Sequence, residues 1–120
     1  MDKKSLGSFG EDKAALYLRR QGYSIVERNF SCRFGEVDII ASKGNFIVFV
    51  EVKLRKNSDF ALAREFVTVS KQRRIISTAS LWLSIKRCEL QPRFDVIEIY
   101  APDGVNSRKL QINHIEDAFQ

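Results

Sequence analysis

Glu36-Val37-Asp38-Ile39-Ile40-Ala41-Ser42 and Phe46-Ile47-Val48-Phe49-Val50-Glu51-Val52-Lys53-Leu54, joined through Lys43-Gly44-Asn45, are the most strongly patterned part of the chain. Both runs are rich in β-branched and aromatic residues, and both read as strands, over Glu36–Ser42 and Phe46–Leu54. The second is apolar at odd and even positions alike, as expected of a central strand covered on both faces. Gly-Asn is a good two-residue hairpin loop, which sets Lys43 opposite Phe46. Counting outward from that pair places Asp38 opposite Glu51, with β-carbons roughly 4.5–5.5 Å apart, and Glu36 opposite Lys53. Strand side chains alternate with period two, so Glu51 and Lys53 share a face.

Two directly opposed carboxylates repel unless something positive lies between them. Hard divalent cations such as Mg²⁺ take oxygen ligands, use few protein carboxylates and keep waters for a substrate phosphate. Asp38, Glu51 and the carbonyl of Val52 would make an open site of that kind. Lys53 beside it could stabilise charge on a phosphoryl oxygen or help to position and deprotonate a water. Glu-x-Lys by itself is a weak motif, and an exposed strand end with ordinary ion pairs, Lys53 to Glu36 or Glu51, accounts for the same residues. Its position at the end of a buried strand, with an acid in matching register, favours the site.

The flanking sequence builds outward from this hairpin. Ser8-Phe9-Gly10-Glu11 reads as a capping box, and Ala14, Ala15 and Leu18 with neighbouring Leu16 and Tyr17 give a helix that Gly22 ends. Tyr23–Phe30 reads as a strand, with a turn at Arg33-Phe34-Gly35. After the hairpin, Arg55–Phe60 reads as a loop. Ser70 opens a second helix in which Ile75, Ile76, Ala79, Trp82 and Leu83 recur at helical spacing. Arg93–Tyr100, a turn at Pro102-Asp103-Gly104, and a strand over Lys109–Ile115 complete the chain. The order α-β-β-β-α-β-β predicts an α/β fold, a mixed sheet flanked by helices. No linker or repeat interrupts residues 1–120, which read as one domain with Met1–Lys4 as a frayed basic start.

With 44% hydrophobic and 29% charged residues the chain is not compositionally disordered. A net charge of +5 and a pI near 9.4 suit a nucleic-acid partner, as they also suit an ordinary basic protein. Lys71-Gln72-Arg73-Arg74 opens the second helix, where positive charge opposes the macrodipole, so Lys71, Arg73 and Arg74 are candidate phosphate contacts. A solvated helix face is the alternative. Arg55 and Lys56, directly after the candidate site, are better placed to hold a nucleic-acid backbone. Asp95 fits a turn or ion pair better than a ligand role; His114 and Trp82 fit structural positions. Cys32 and Cys88, far apart and with a single histidine in the chain, argue against zinc. No signal peptide or membrane-length apolar run occurs, so the expected location is the cytoplasm, with both thiols reduced.

Gly10-Glu11, Gly35-Glu36-Val37-Asp38-Ile39-Ile40-Ala41, Val48-Phe49-Val50-Glu51-Val52-Lys53 and Arg93-Phe94-Asp95-Val96 together closely resemble the YraN-like bacterial family. That family is similar in fold to the PD-(D/E)xK nucleases, notably the archaeal Holliday junction resolvases. The resemblance implies a restriction-endonuclease-like sheet in which Asp38, Glu51 and Lys53 match the nuclease motif. It also implies that Glu11 is the helical acid joining them as a metal ligand, and it sets Gln72 where some relatives place a helical glutamine. Val37 stands where the motif has proline, a common departure. The implied activity is a Mg²⁺- or Mn²⁺-dependent endonuclease acting on DNA, with branched DNA as one candidate substrate. A nuclease-fold protein that binds nucleic acid with little or no turnover is the alternative, and a protein-interaction scaffold is a third class. Resolvases make two cuts, which by analogy adds a homodimer to the expectations.

Overall fold

The computed structural model describes residues 3–55 and 67–120. Helix α1 spans Lys3–Arg20, strands β1, β2 and β3 span Ser24–Cys32, Gly35–Lys43 and Phe46–Arg55, helix α2 spans Val69–Lys86, and strands β4 and β5 span Gln91–Tyr100 and Gln111–Phe119. The order α-β-β-β-α-β-β is the one expected. The strands form one mixed sheet in the order β1-β2-β3-β4-β5, antiparallel throughout except for the parallel β3–β4 pair, whose connection carries α2. No helix among the described residues is long and apolar enough to cross a membrane.

The hairpin register is the expected one. Lys43 pairs with Phe46, and the ladder continues in step to Ile39 opposite Val50. Gly44 takes φ +58 as the first residue of the two-residue turn, a conformation that glycine adopts at no steric cost. Ile47, Val48, Phe49 and Val50 are each at most 1% exposed, because helices cover both faces of β3. On one face α2 packs Ile75, Ala79 and Trp82 against Val37, Ile40, Ile47, Phe49 and Val96. On the other, α1 packs Ala14, Ala15 and Leu18 against Ile39, Ala41, Val48, Val50, Ile97 and Ile99.

These memberships expose an irregularity. Val37 and Ile39 are two residues apart on β2 and should share a face, yet Val37 belongs to the α2 side and Ile39 to the α1 side. The change of face falls at Asp38. On β1 the same change falls at Asn29, which stands between the paired residues Arg28–Ile39 and Phe30–Val37 and takes φ +55. Asparagine is one of the few non-glycine residues that enter this region readily. Asp38 therefore lies where the strand turns from one helix to the other.

Several boundaries differ from expectation. Helix α1 begins at Lys3, so Lys3 and Lys4 are helical and Ser8 lies inside the helix; it is exposed and is no N-cap. Gly22 does close α1 as expected: its N–H donates to the Arg19 carbonyl at 3.0 Å and that of Tyr23 to Leu18 at 2.9 Å. This is the Schellman pattern. The cap of α2 is Thr68, whose hydroxyl accepts from the Lys71 N–H, so Ser70 is within the helix. Strand β5 runs four residues beyond the expected Ile115, to Phe119, and its start moves from Lys109 to Gln111. Beyond Arg55, the loop expected at Arg55–Phe60 lies outside the described residues.

Candidate active site

A pocket of about 300 Å³ opens beside the far end of the hairpin, lined by Gly35, Glu36, Asp38, Glu51, Lys71, Arg74 and Ile75. Asp38 reaches it from the face change in β2, Glu51 from the α2 side of β3, and Lys71 and Arg74 from the first two turns of α2. Gly35 lets the helix come this close: a β-carbon there would stand 3.4 Å from Arg74 Cβ and from Thr78 Oγ1. Asp38 and Glu51 thus face one pocket, as the register count predicted. The backbone ladder stops one step short of them, and the Asp38 carboxylate takes over by accepting the Val52 N–H at 2.8 Å. Val52 thus meets Asp38 through its N–H, an atom distinct from the carbonyl to which the sequence pointed.

Glu51 is 7% exposed and is neutralised by lysine. Lys71 Nζ donates to Glu51 Oε1 at 2.8 Å, and Lys53 Nζ stands 3.8 Å from the same oxygen. Burial, and then the Glu51 charge, push the Asp38 carboxyl from 3.8 up to about 7, against the stabilising Val52 N–H; Glu11 and Glu36 push in the same upward direction. Asp38 therefore still exchanges its proton near neutrality. Burial, and then the neighbouring Lys71 ammonium, lower the pKa of Lys53. Burial acts on Lys71 in the same sense, but the bond to Glu51, the Glu51 charge and the smaller effects of Lys53 and Asp38 together outweigh it and the pKa is raised.

The other expected residues are distributed less tightly. Glu11 lies on α1, its carboxylate 3.5 Å from Arg28, outside the lining of this pocket although its charge is felt at Asp38. Among the described residues no three acidic, histidine or cysteine side chains are drawn together closely enough to hold a metal ion. Asp38 and Glu51 line the same pocket, the latter carrying the Lys71 ammonium, and carboxylate oxygens of this kind are the donors that hard divalent ions take. Arg73 and Arg74 are exposed on α2, Arg74 donating to Ser70 Oγ at 3.4 Å. Gln72 donates to the Val67 carbonyl at 2.9 Å and so anchors the start of the helix. Arg55 is drawn to Glu98 at 3.3 Å, which gives it a structural partner. Lys56 lies outside the described residues.

Two features had no signal in the sequence, the partners of Arg28 and the burial of Glu98, and a third, Asp95, is legible there only in outline. Arg28 bridges β1 to α1 through Glu11 and Asp12, the latter at 2.8 Å. Glu98 is fully buried beside Lys53 in the β3–β4 register, and no periodicity marks an acid inside an apolar run. Asp95, also fully buried, accepts two bonds from Arg93 at 2.8 and 2.9 Å and the Asp117 N–H at 3.0 Å, with His114 Nε2 2.7 Å away. The ion-pair reading of Asp95 holds, and the side chain of His114, 6% exposed, is a core group that also meets the Tyr17 hydroxyl at 3.1 Å. Trp82 is core as well, its indole N–H held by Glu27 at 2.9 Å, and both cysteines are free thiols.

This is an α/β protein whose mixed sheet brings two acids and Lys53 to the end of its central hairpin, where α2 adds Lys71. The profile described as Uncharacterised protein family UPF0102 matches residues 10–99. A UPF0102 protein of Clostridium perfringens is 48% identical over 118 residues, covering 98% of this chain and 95% of its own length. One from Caldicellulosiruptor saccharolyticus is 44% identical over 120 residues, covering 99% and 100%, and one from Geotalea uraniireducens is 48% identical, covering 99% and 92%. The chain belongs to the UPF0102, or YraN-like, family. That family is described as uncharacterised, and the site itself carries the functional reading.

Proposed function

We propose that this protein is a divalent-cation-dependent nuclease that hydrolyses phosphodiester bonds in DNA, with branched DNA as a candidate substrate. The observation that carries this reading is the pocket shared by Asp38 and Glu51, with Lys53 and Lys71 on the Glu51 carboxylate. A structural ion pair needs one acid and one base; the second acid beside Glu51, with its pKa raised to about 7, is a cost that a sheet has no reason to keep. The motif likeness to PD-(D/E)xK nucleases falls on the same residues. Asp38 and Glu51 would hold Mg²⁺ or Mn²⁺, with Glu11 joining if Arg28 releases it. The ion, when bound, supplies a more acidic water and neutralises charge on the phosphoryl oxygens. Lys53, its pKa lowered, would help to position an attacking water and to take its proton. Lys71, Arg73 and Arg74 present positive charge to the phosphates.

The test is a cleavage panel of linear, flapped and four-way DNA with Mg²⁺ or Mn²⁺. Glu51→Gln should abolish cleavage and weaken Mn²⁺ binding, since one anionic ligand is lost. Cleavage that survives in rigorously purified Glu51→Gln protein would sink the assignment. The second reading, a nucleic-acid-binding protein without turnover, is favoured by Glu11 being engaged by Arg28. It takes over if wild type binds DNA with a steep salt dependence yet cuts none of these substrates with either metal.

A further inference from the structure

The Lys71 ammonium occupies the place on Glu51 that a cation would take. Glu51 is nearly buried, and a buried carboxylate needs a positive partner; at 2.8 Å Lys71 is that partner. The backbone of Lys71 is fixed in the first turn of α2 by the Thr68 cap, at 3.1 Å. Its side chain is 39% exposed, so the four-carbon stem can carry the ammonium out to water without moving the helix. Lys53 differs: it stands farther from Glu51, at 3.8 Å, and its strand leaves it two residues along the same face. Arg74 lines the same pocket and is turned to Ser70.

We propose that Lys71 is an internal counter-ion, seated on Glu51 while no divalent ion is bound and displaced toward solvent when one binds. The displaced ammonium then faces the mouth of the pocket, where it can meet a substrate phosphate. Metal and nucleic acid would therefore bind with positive coupling, because each favours the outward position of one side chain. This inference rests on the metal-dependent reading above, and the test separates the two.

Mn²⁺ is titrated calorimetrically, without DNA, into wild type, Lys71→Met and Arg73→Met. Lys71→Met keeps most of the side-chain length and removes the competing charge, so it should bind Mn²⁺ about tenfold tighter, the scale of one charged hydrogen bond. Arg73→Met removes an exposed charge from the same turn and should change affinity by less than about threefold. In wild type, acylation of Lys71 by an amine-reactive ester, read by mass spectrometry, should rise when Mn²⁺ saturates the protein. This second measurement needs no variant to fold. Equal or weaker Mn²⁺ binding by folded Lys71→Met, or unchanged Lys71 acylation at Mn²⁺ saturation, overturns the counter-ion role and leaves metal binding intact. Mn²⁺ binding by the variant alone supports the role in its strongest form. If neither protein binds Mn²⁺, the metal-dependent reading falls and this inference falls with it.

Discussion

At the residue scale, three buried acids share one sheet and meet three fates. Asp95 is surrounded by donors, Glu98 draws Arg55, and Glu51 draws lysines at a pocket open to solvent. Burial favours protonation of Asp95, but His114, Arg93 and the Asp117 N–H outweigh it and hold its carboxyl below the usual range. A depressed native pKa contributes stability that is present above the unfolded value, near 3.8, and is lost as pH falls through the native one. Asp95→Asn should therefore cost roughly 3 kcal/mol near pH 7, where a buried charge network is broken. The difference from wild type should shrink as pH falls below the unfolded value. Urea denaturation across this range checks it; a gap that stays constant with pH would mean that packing, not charge, is what Asp95 provides.

At the element scale, α1 reaches the sheet through a small residue. Gly10 is buried inside the helix, and a β-carbon there would stand 3.6 Å from Leu54 Cβ and 3.8 Å from Val52 Cγ1, ordinary contact distances. Alanine should therefore fit. Gly10→Ala should stabilise the protein by about 0.5–1 kcal/mol, through helix propensity and a less flexible unfolded chain. A lower urea midpoint would show instead that α1 must approach β3 more closely. The expected cap positions illustrate a limit of local pattern. Ser8 with Glu11 satisfies a capping box, and Ser70 precedes a basic turn, yet the helices start at Lys3 and after Thr68. Several hydroxyl residues near a helix start can satisfy the same rule, and only packing selects among them.

At the scale of the whole molecule, a net charge of +5 acts together with a pocket lined by three acids, Glu36, Asp38 and Glu51. Binding of DNA in metal-free buffer should come from Lys and Arg contacts to phosphate, while the acids repel the backbone. Replacing both Arg73 and Arg74 with alanine should weaken binding across sequences and flatten its salt dependence by up to about two units, one per lost phosphate contact. Asp38→Asn should leave that affinity unchanged or tighter. Fluorescence anisotropy over a range of salt measures both, and an unaltered slope in the double variant would remove α2 from the nucleic-acid face.

The element order, the buried central strand and the hairpin register were legible in the sequence, because alternation of side chains and the length of a Gly-Asn turn are local properties. That register alone put Asp38 and Glu51 within reach of each other. Tertiary structure decided the rest. The change of face at Asp38, with Asn29 at φ +55 on the neighbouring strand, lets β2 present Val37 to α2 and Ile39 to α1, which strict alternation along the strand would not predict. The lysine seated on Glu51 comes from a helix 20 residues away in sequence, and the partner holding Glu11 comes from a strand. Charges find their partners by distance in space, and a charged residue carries no periodic mark of which partner the fold will bring to it.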